Sequence, residues 1–402
     1  MATMEGLARV ILRSGRAKPF FGRHPWVLAS AIERVEGSPA DGDVVELVTQ
    51  TGHFVARGIW NGRSRIRVRL YTWRPEQPLD EAFWRHRLEE AVRLRNLLGY
   101  TGPNEAARLV YSEADGLSGL IVDRYGPYLV VQVTAAAMAQ RLQLVVDWLV
   151  QNLQPAGILL RSEPATLRAE GLRLEDWEDK VLWGQVPQEP IEIWEYGVRY
   201  LVDLVGGQKT GFYLDQRENR QAAAQYARGR HVLDMFCYTG GFALAAARAG
   251  AESVLGIDDS QKAVQLAQAN AQLNGLQNVQ FAQGDCFKTM ERFLAENRRF
   301  GCVVLDPPRF ARSRRSLPRA LRAYHWLNRL GVELLQPGGI LVTCSCSGHV
   351  SRQDFLEMLM GVSEKSARPI QILEHRGAAP DHPVLATCQE TDYLKCFICR
   401  VG

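Results

Sequence analysis

The sequence lacks any apolar run long enough to span a bilayer, and Met1 to Arg13 lacks the apolar core of a signal peptide. The chain is therefore expected to be cytoplasmic, with no membrane partner. It also lacks the dense cysteine framework of a small secreted domain. Its eight cysteines are spread over 402 residues, mostly in apolar strand-like runs, which points to reduced thiols. Cys396-Phe397-Ile398-Cys399 has the spacing of a metal or redox pair, but no second pair or histidine cluster completes a zinc set. Residues three apart on a strand face opposite ways, so this pair reads as core packing and no metal is expected. There is no internal repeat and no low-complexity segment.

The chain is too long for one ordinary domain, and two or three are expected. The formal net charge of +4 is mild, yet the arginines are clustered, which suits a polyanionic partner better than the total suggests. Residues 1–74 alternate short β-type runs with glycine turns, giving a small β-rich domain. Between Gly52 and Arg74 there are six arginines and no acid. Arg63, Arg65, Arg67 and Arg69 alternate with Ser64, Ile66 and Val68, so a strand would put all four on one face. With Arg57, Trp60, Tyr71 and Trp73 nearby, that face suits phosphate contacts and base stacking; a solvated strand face is the plainer alternative.

Arg74-Pro75-Glu76-Gln77-Pro78 marks a boundary, and residues 75–205 read as a central α+β domain with helices near 80–98 and 138–152 between strands. The third domain, residues 206–402, turns from His231 to a regular alternation of strand and helix. Strands are expected at Val232–Met235, Ser253–Ile257, Val279–Gln283, Cys302–Leu305 and Ile340–Thr343, with edge strands near 370–376 and 391–400. This α/β pattern is that of a Rossmann-like, doubly wound parallel sheet.

The first of these strands runs into Asp234-Met235-Phe236-Cys237-Tyr238-Thr239-Gly240-Gly241, a small-residue turn that lets a ligand approach the backbone. Asp258 follows 18 residues after Gly240, at the distance of an acid that bonds ribose hydroxyls. The full dinucleotide fingerprint is absent, because Tyr238 stands where a glycine would be expected. A turn that begins with Asp234 suits the ammonium of an amino-acid moiety, and Asp285 ends the third strand within reach of an adenine amino group. S-adenosylmethionine fits all three placements. The plainer alternative makes Asp258 a helix cap and Gly240-Gly241 a tight turn.

Two further strand ends, Asp306-Pro307-Pro308-Arg309-Phe310 and Thr343-Cys344-Ser345-Cys346-Ser347-Gly348, would face one crevice. Six arginines between Arg309 and Arg322, among them Arg312, Arg314 and Arg315, would form a basic lip there.

These motifs, with Gly206-Gly207-Gln208-Lys209-Thr210-Gly211-Phe212-Tyr213-Leu214-Asp215-Gln216-Arg217 and Glu113-Ala114-Asp115-Gly116-Leu117-Ser118-Gly119-Leu120-Ile121-Val122-Asp123-Arg124, resemble the bacterial large-subunit ribosomal RNA 5-methylcytosine methyltransferase family over nearly the whole chain. The resemblance implies an N-terminal PUA domain, a central α+β domain and a class I methyltransferase domain. It further implies large-subunit ribosomal RNA as partner, a homodimer as an option, and Lys209, Thr210, Gly211 and Phe212 closing over a cofactor that Asp234, Phe236, Tyr238, Thr239, Gly240, Asp258, Asp285, Asp306 and Pro307 also contact. The family's Ser-Cys-Ser-Gly pattern falls on Cys346 and leaves Cys344 without a role.

The chemistry gives the thiol a separate reason: carbon 5 of cytosine is a poor nucleophile until a thiolate adds to carbon 6. Cys346 is the expected nucleophile and Asp306 its partner at the ring. The rival readings are a base-nitrogen methyltransferase, which needs no thiol, and a non-catalytic RNA-binding assembly factor.

Overall fold

The structure is a computed structural model that describes residues 6–100, 102–311 and 313–402. The chain forms two compact units, Met1–Ile191 with Val202–Phe212 and Pro380–Thr391, and Glu192–Leu201 with Tyr213–Ala379 and Asp392–Gly402. Among the described residues no helix is long and apolar enough to cross a membrane.

The first unit opens with a six-stranded sheet of β1 (Ala8–Leu12), β2 (Trp26–Leu28), β3 (Ile32–Glu36), β4 (Val44–Val48), β5 (Phe54–Trp60) and β6 (Ile66–Thr72), in the order β2-β6-β5-β4-β1-β3. Period-two alternation splits β6 between two cores. Val68 and Leu70 join Val10, Leu12, Val45 and Leu47, whereas Tyr71 packs with Trp84 and Leu88 of the helix Glu81–Leu97. That helix starts at Asp80, whose side chain accepts the Phe83 N–H at 2.9 Å.

A five-stranded sheet follows: β7 (Ala106–Tyr111), β8 (Leu120–Tyr125), β9 (Tyr128–Val133), β10 (Gly157–Leu160) and β11 (Lys180–Gly184), ordered β11-β10-β9-β8-β7. The Glu113–Arg124 motif is the joint of this region. Asp115 pairs with Arg95 at 2.6 Å, Asp123 with Arg108 at 2.7 Å, and Glu113 takes the Ser118 hydroxyl at 2.7 Å. Gly119 has φ of 95°, and a Cβ there would stand 2.3 Å from the Ala135 methyl, so glycine is required.

Past the hairpin β12 (Ile191–Glu195) and β13 (Val198–Val202), the second unit is a seven-stranded sheet. Its strands are β14 (His231–Met235), β15 (Ser253–Asp258), β16 (Val279–Gln283), β17 (Phe300–Leu305), β18 (Leu335–Ser345), β19 (Ile370–Arg376) and β20 (Lys395–Val401), ordered β16-β15-β14-β17-β18-β20-β19. β14 to β18 are parallel, and β20 runs antiparallel between β18 and β19. β17 is buried at all six positions, as a strand covered on both faces must be. Strand order reverses at β14, which lies between β15 and β17, so the crevice for a ligand opens at the carboxyl ends of β14 and β17.

Candidate active site

The turn after β14 carries three left-handed residues, Phe236, Tyr238 and Gly240, at φ of 64°, 49° and 89°. Two of them are not glycine, a costly conformation that surrounding bonds must hold. Asp258, at the end of β15, supplies one: its Oδ2 accepts the Tyr238 N–H at 2.8 Å while Oδ1 accepts that of Ser260 at 3.0 Å. Burial raises the Asp258 pKa, and the two backbone N–H bonds act against that shift. Gly240 lies against Phe281, whose ring would be 2.8 Å from an added Cβ.

Beneath the turn Asp234 is 1% exposed. Its Oδ2 accepts the Ala243 N–H at 2.9 Å, and its buried Oδ1 has no hydrogen-bond partner among the described residues. Burial, then the charge of Asp306, pushes its pKa well above the carboxylate range. A buried acceptor left open in this way is matched by a cationic donor such as the ammonium of an amino-acid moiety. The Thr239 hydroxyl is likewise buried without a partner. Asp285 is exposed and caps the helix Cys286–Ala295 through the Lys288 N–H at 2.8 Å.

Beside this turn, β17 ends at Leu305 opposite Thr343 of β18, so Asp306-Pro307 and Cys346 leave the carboxyl ends of adjacent strands. Cys346 is partly exposed, and the other seven cysteines are buried. Its Sγ lies 4.0 Å from the Pro307 carbonyl oxygen. The two flanking serines are locked. Ser345 Oγ donates to the Tyr324 hydroxyl at 2.9 Å, the same hydroxyl meets Ser347 Oγ at 3.1 Å, and Ser347 Oγ accepts the Ala311 N–H at 3.2 Å. Burial pushes the Tyr324 phenol up to about 12, so it stays a neutral donor and acceptor. Tyr213, whose pKa burial and Asp306 both raise, stacks edge-on with Tyr238 at 5.3 Å. Cys344 pairs in register with Cys396 across the β18–β20 pair, and burial raises its thiol pKa, as for a thiol packed in a core.

Residues 172–395 match the S-adenosylmethionine-dependent methyltransferase family, and residues 10–73 match a PUA-like domain. The chain is 42% identical to the ribosomal RNA large subunit methyltransferase I of Aeromonas hydrophila, over 98% of this chain and 99% of that protein. The chain belongs to this methyltransferase family. A putative S-adenosylmethionine-dependent methyltransferase from Streptococcus mutans shares the fold, with a TM-score of 0.83 at 21% identity over 98% of this chain and 99% of that one. A putative methyltransferase solved in complex with SAH is equally similar, with a TM-score of 0.83 at 22% identity over 98% and 99% of the two chains. The cofactor is S-adenosylmethionine, and the unpartnered Oδ1 of Asp234 fits its ammonium.

Lys209, Thr210, Gly211 and Phe212 belong to the first unit, where Thr210 donates to Asp123 at 2.6 Å and meets the Tyr125 hydroxyl at 2.9 Å. The four-arginine face of the N-terminal strand does not form. β6 starts only at Ile66, and Arg69 is 7% exposed, held by Glu170 at 2.9 Å and Glu113 at 3.3 Å. Arg57, 1% exposed, binds Glu46 at 2.9 Å and the carbonyls of Pro75 and Gln77. Arg67 turns back onto the carbonyls of Gly62 and Ser64, leaving Arg63 and Arg65 exposed. The acids that hold Arg69 lie 44 and 101 residues away, and Glu46 lies 11 residues before Arg57, all outside the acid-free stretch from Gly52 to Arg74.

Arg309, Arg314 and Arg315 are exposed, and Arg312 lies outside the described residues. Arg309, Phe310, Ser316 and Arg319 line a cavity of about 510 Å³. Another cavity, about 730 Å³, lies in the first unit between Tyr71, Trp73, Arg87 and Glu113 and contains none of the residues expected to carry chemistry. His24, Cys388 and Glu390 cluster as metal ligands can, but the Trp26 N–H donates to His24 Nδ1. That bond puts the imidazole proton on Nε2, which faces Glu390 at 3.4 Å, so the trio is a hydrogen-bonded cluster.

Proposed function

We propose that the protein forms 5-methylcytosine in large-subunit ribosomal RNA by way of a Cys346 adduct. One observation carries this reading: the partly exposed thiol sits on a clamped turn at the strand end beside Asp306-Pro307. A base-nitrogen methyltransferase has no use for such a thiol. The similarity to the ribosomal RNA large subunit methyltransferase I of Aeromonas hydrophila supports ribosomal RNA as the substrate class.

In this reading Asp234 takes the cofactor ammonium, Asp258 its ribose hydroxyls and Asp285 its adenine amino group. Bound there, S-adenosylmethionine supplies an electrophilic methyl on a sulfonium. Phe236, Tyr238, Thr239 and Gly240 shape the turn around it, and Pro307 fixes the exit from β17.

The Cys346 thiolate adds to carbon 6 of the cytosine, and Asp306, at N3 and the exocyclic amine, favours ring protonation as the Sγ–C6 bond forms. Carbon 5 thereby gains the electron density to accept the methyl group. Loss of the carbon-5 proton to a base then breaks the Sγ–C6 bond and returns the thiolate. Arg309, Arg314 and Arg315 are proposed to hold phosphates around the extruded base, and Arg63 and Arg65 to contact RNA. The burial of Arg57 and Arg69 withdraws them from that set.

The test is incubation with labelled S-adenosylmethionine and ribosomal RNA lacking its modifications, followed by digestion to nucleosides. Labelled 5-methylcytidine is expected. A methylated guanosine or adenosine would overturn the thiolate route, and RNA binding without product would favour an assembly factor.

A further inference from the structure

The Cys346 turn has a neighbour that the chemistry above does not use. Lys395, the first residue of β20, is 2% exposed and pairs in register with Ser345, the residue before the thiol. Its Nζ donates to the Ser347 carbonyl at 2.7 Å and to the Tyr393 carbonyl at 2.8 Å. A buried ammonium bonded to neutral carbonyls is expensive to keep unless its charge serves something. Packing of the turn alone could be met by a methionine.

We propose that Lys395 is the positioning residue of the reacting thiol: its ammonium pins the turn through the Ser347 carbonyl and stabilises the Cys346 thiolate. The proposal rests on reading Cys346 as the nucleophile. The surrounding charges leave room for it. Asp392, near the lysine, is partly neutralised by Arg352 at 3.7 Å, and Asp354 is occupied as a helix cap on the Ser351 N–H at 2.8 Å. From the other elements the phenols of Tyr213 and Tyr324 each feel the charge of Cys346, and the charge of Asp306 also acts on Tyr213. Burial brings the Lys395 pKa down to about 8, with Asp392 and then the Cys346 thiolate opposing the shift, so the two groups act on one another.

The experiment is alkylation of Cys346 by iodoacetamide across pH, read by peptide mass spectrometry on the full chain without RNA. In the wild-type protein the midpoint should fall below the value of about 8.5 for a free cysteine. In Lys395→Met it should rise, with about tenfold less thiolate at neutral pH, the effect of losing one nearby opposite charge. SAH binding by calorimetry reports whether that variant is folded. A wild-type midpoint at or above the free value overturns the proposal without any variant, and so does an unchanged midpoint in a folded Lys395→Met. Because no RNA product is read, a base-nitrogen product would sink the cytosine reading and leave this result standing by itself.

Discussion

Asp234→Asn should move cofactor affinity and apo stability in opposite directions. The wild-type carboxyl is 1% exposed, with one oxygen on the Ala243 N–H and the other unpartnered. Replacing it with the amide keeps the bond to Ala243 but turns an NH2 toward the place where the ammonium would sit. A hydrogen bond to a charged group contributes about 1.5–3 kcal/mol. Its loss should weaken S-adenosylmethionine about 10- to 150-fold, at about 1.4 kcal/mol per decade.

Without cofactor the sign reverses. The folded-state pKa of Asp234 is raised by burial and by Asp306, so its contribution to stability is fully present below the unfolded pKa and is lost as pH rises through the folded value. The amide cannot ionise and escapes that loss, so the apo variant should equal or exceed the wild type at neutral pH. Calorimetric titration with SAH and thermal unfolding of the apo protein read the two quantities. Unchanged affinity, or an apo variant destabilised by more than about 2 kcal/mol, would refute the reasoning, since the first removes the ammonium partner and the second makes Asp234 merely a helix cap.

Gly240→Ala forces a left-handed alanine and a Cβ 2.8 Å from Phe281, which should cost about 2–4 kcal/mol in unfolding experiments and weaken SAH binding. Tyr324→Phe removes the hydroxyl shared by Ser345 and Ser347; stability should drop by about 1–2 kcal/mol while turnover falls with SAH affinity unchanged. Arg69→Met leaves Glu113 and Glu170 buried without their cation, and urea unfolding should show a loss of about 3–5 kcal/mol.

The parallel sheet was legible because its strands are short apolar runs between amphipathic helices, and most expected ends lie within two residues of the observed ones. The exceptions are β18, which starts at Leu335 rather than Ile340, and β20, which starts at Lys395 rather than near 391. The carboxyl-end motifs were legible too, since parallel strands deliver their ends to one crevice whatever lies between. Pairings across long sequence separations were not. Nothing local says that Arg69 meets Glu170, that Tyr324 clamps two serines of a later turn, or that Lys395 donates to Ser347. A buried Tyr or Lys announces itself only through its apolar neighbours, as Lys395 does between Leu394 and Phe397. The return of Pro380–Thr391 to the first unit was equally hidden. There Asp381 accepts the Arg108 N–H at 2.9 Å.

The most direct test of the thiolate account uses RNA in which cytidine carries fluorine at carbon 5. Methyl transfer can proceed on such a base, but no proton remains at carbon 5 to be removed, so the Sγ–C6 bond cannot be released. The account predicts a stable protein–RNA adduct, formed only with S-adenosylmethionine present, that peptide mass spectrometry places on Cys346 and that Cys346→Ala abolishes while still binding RNA. No adduct, or one on another residue, together with turnover retained in Cys346→Ala, would contradict it.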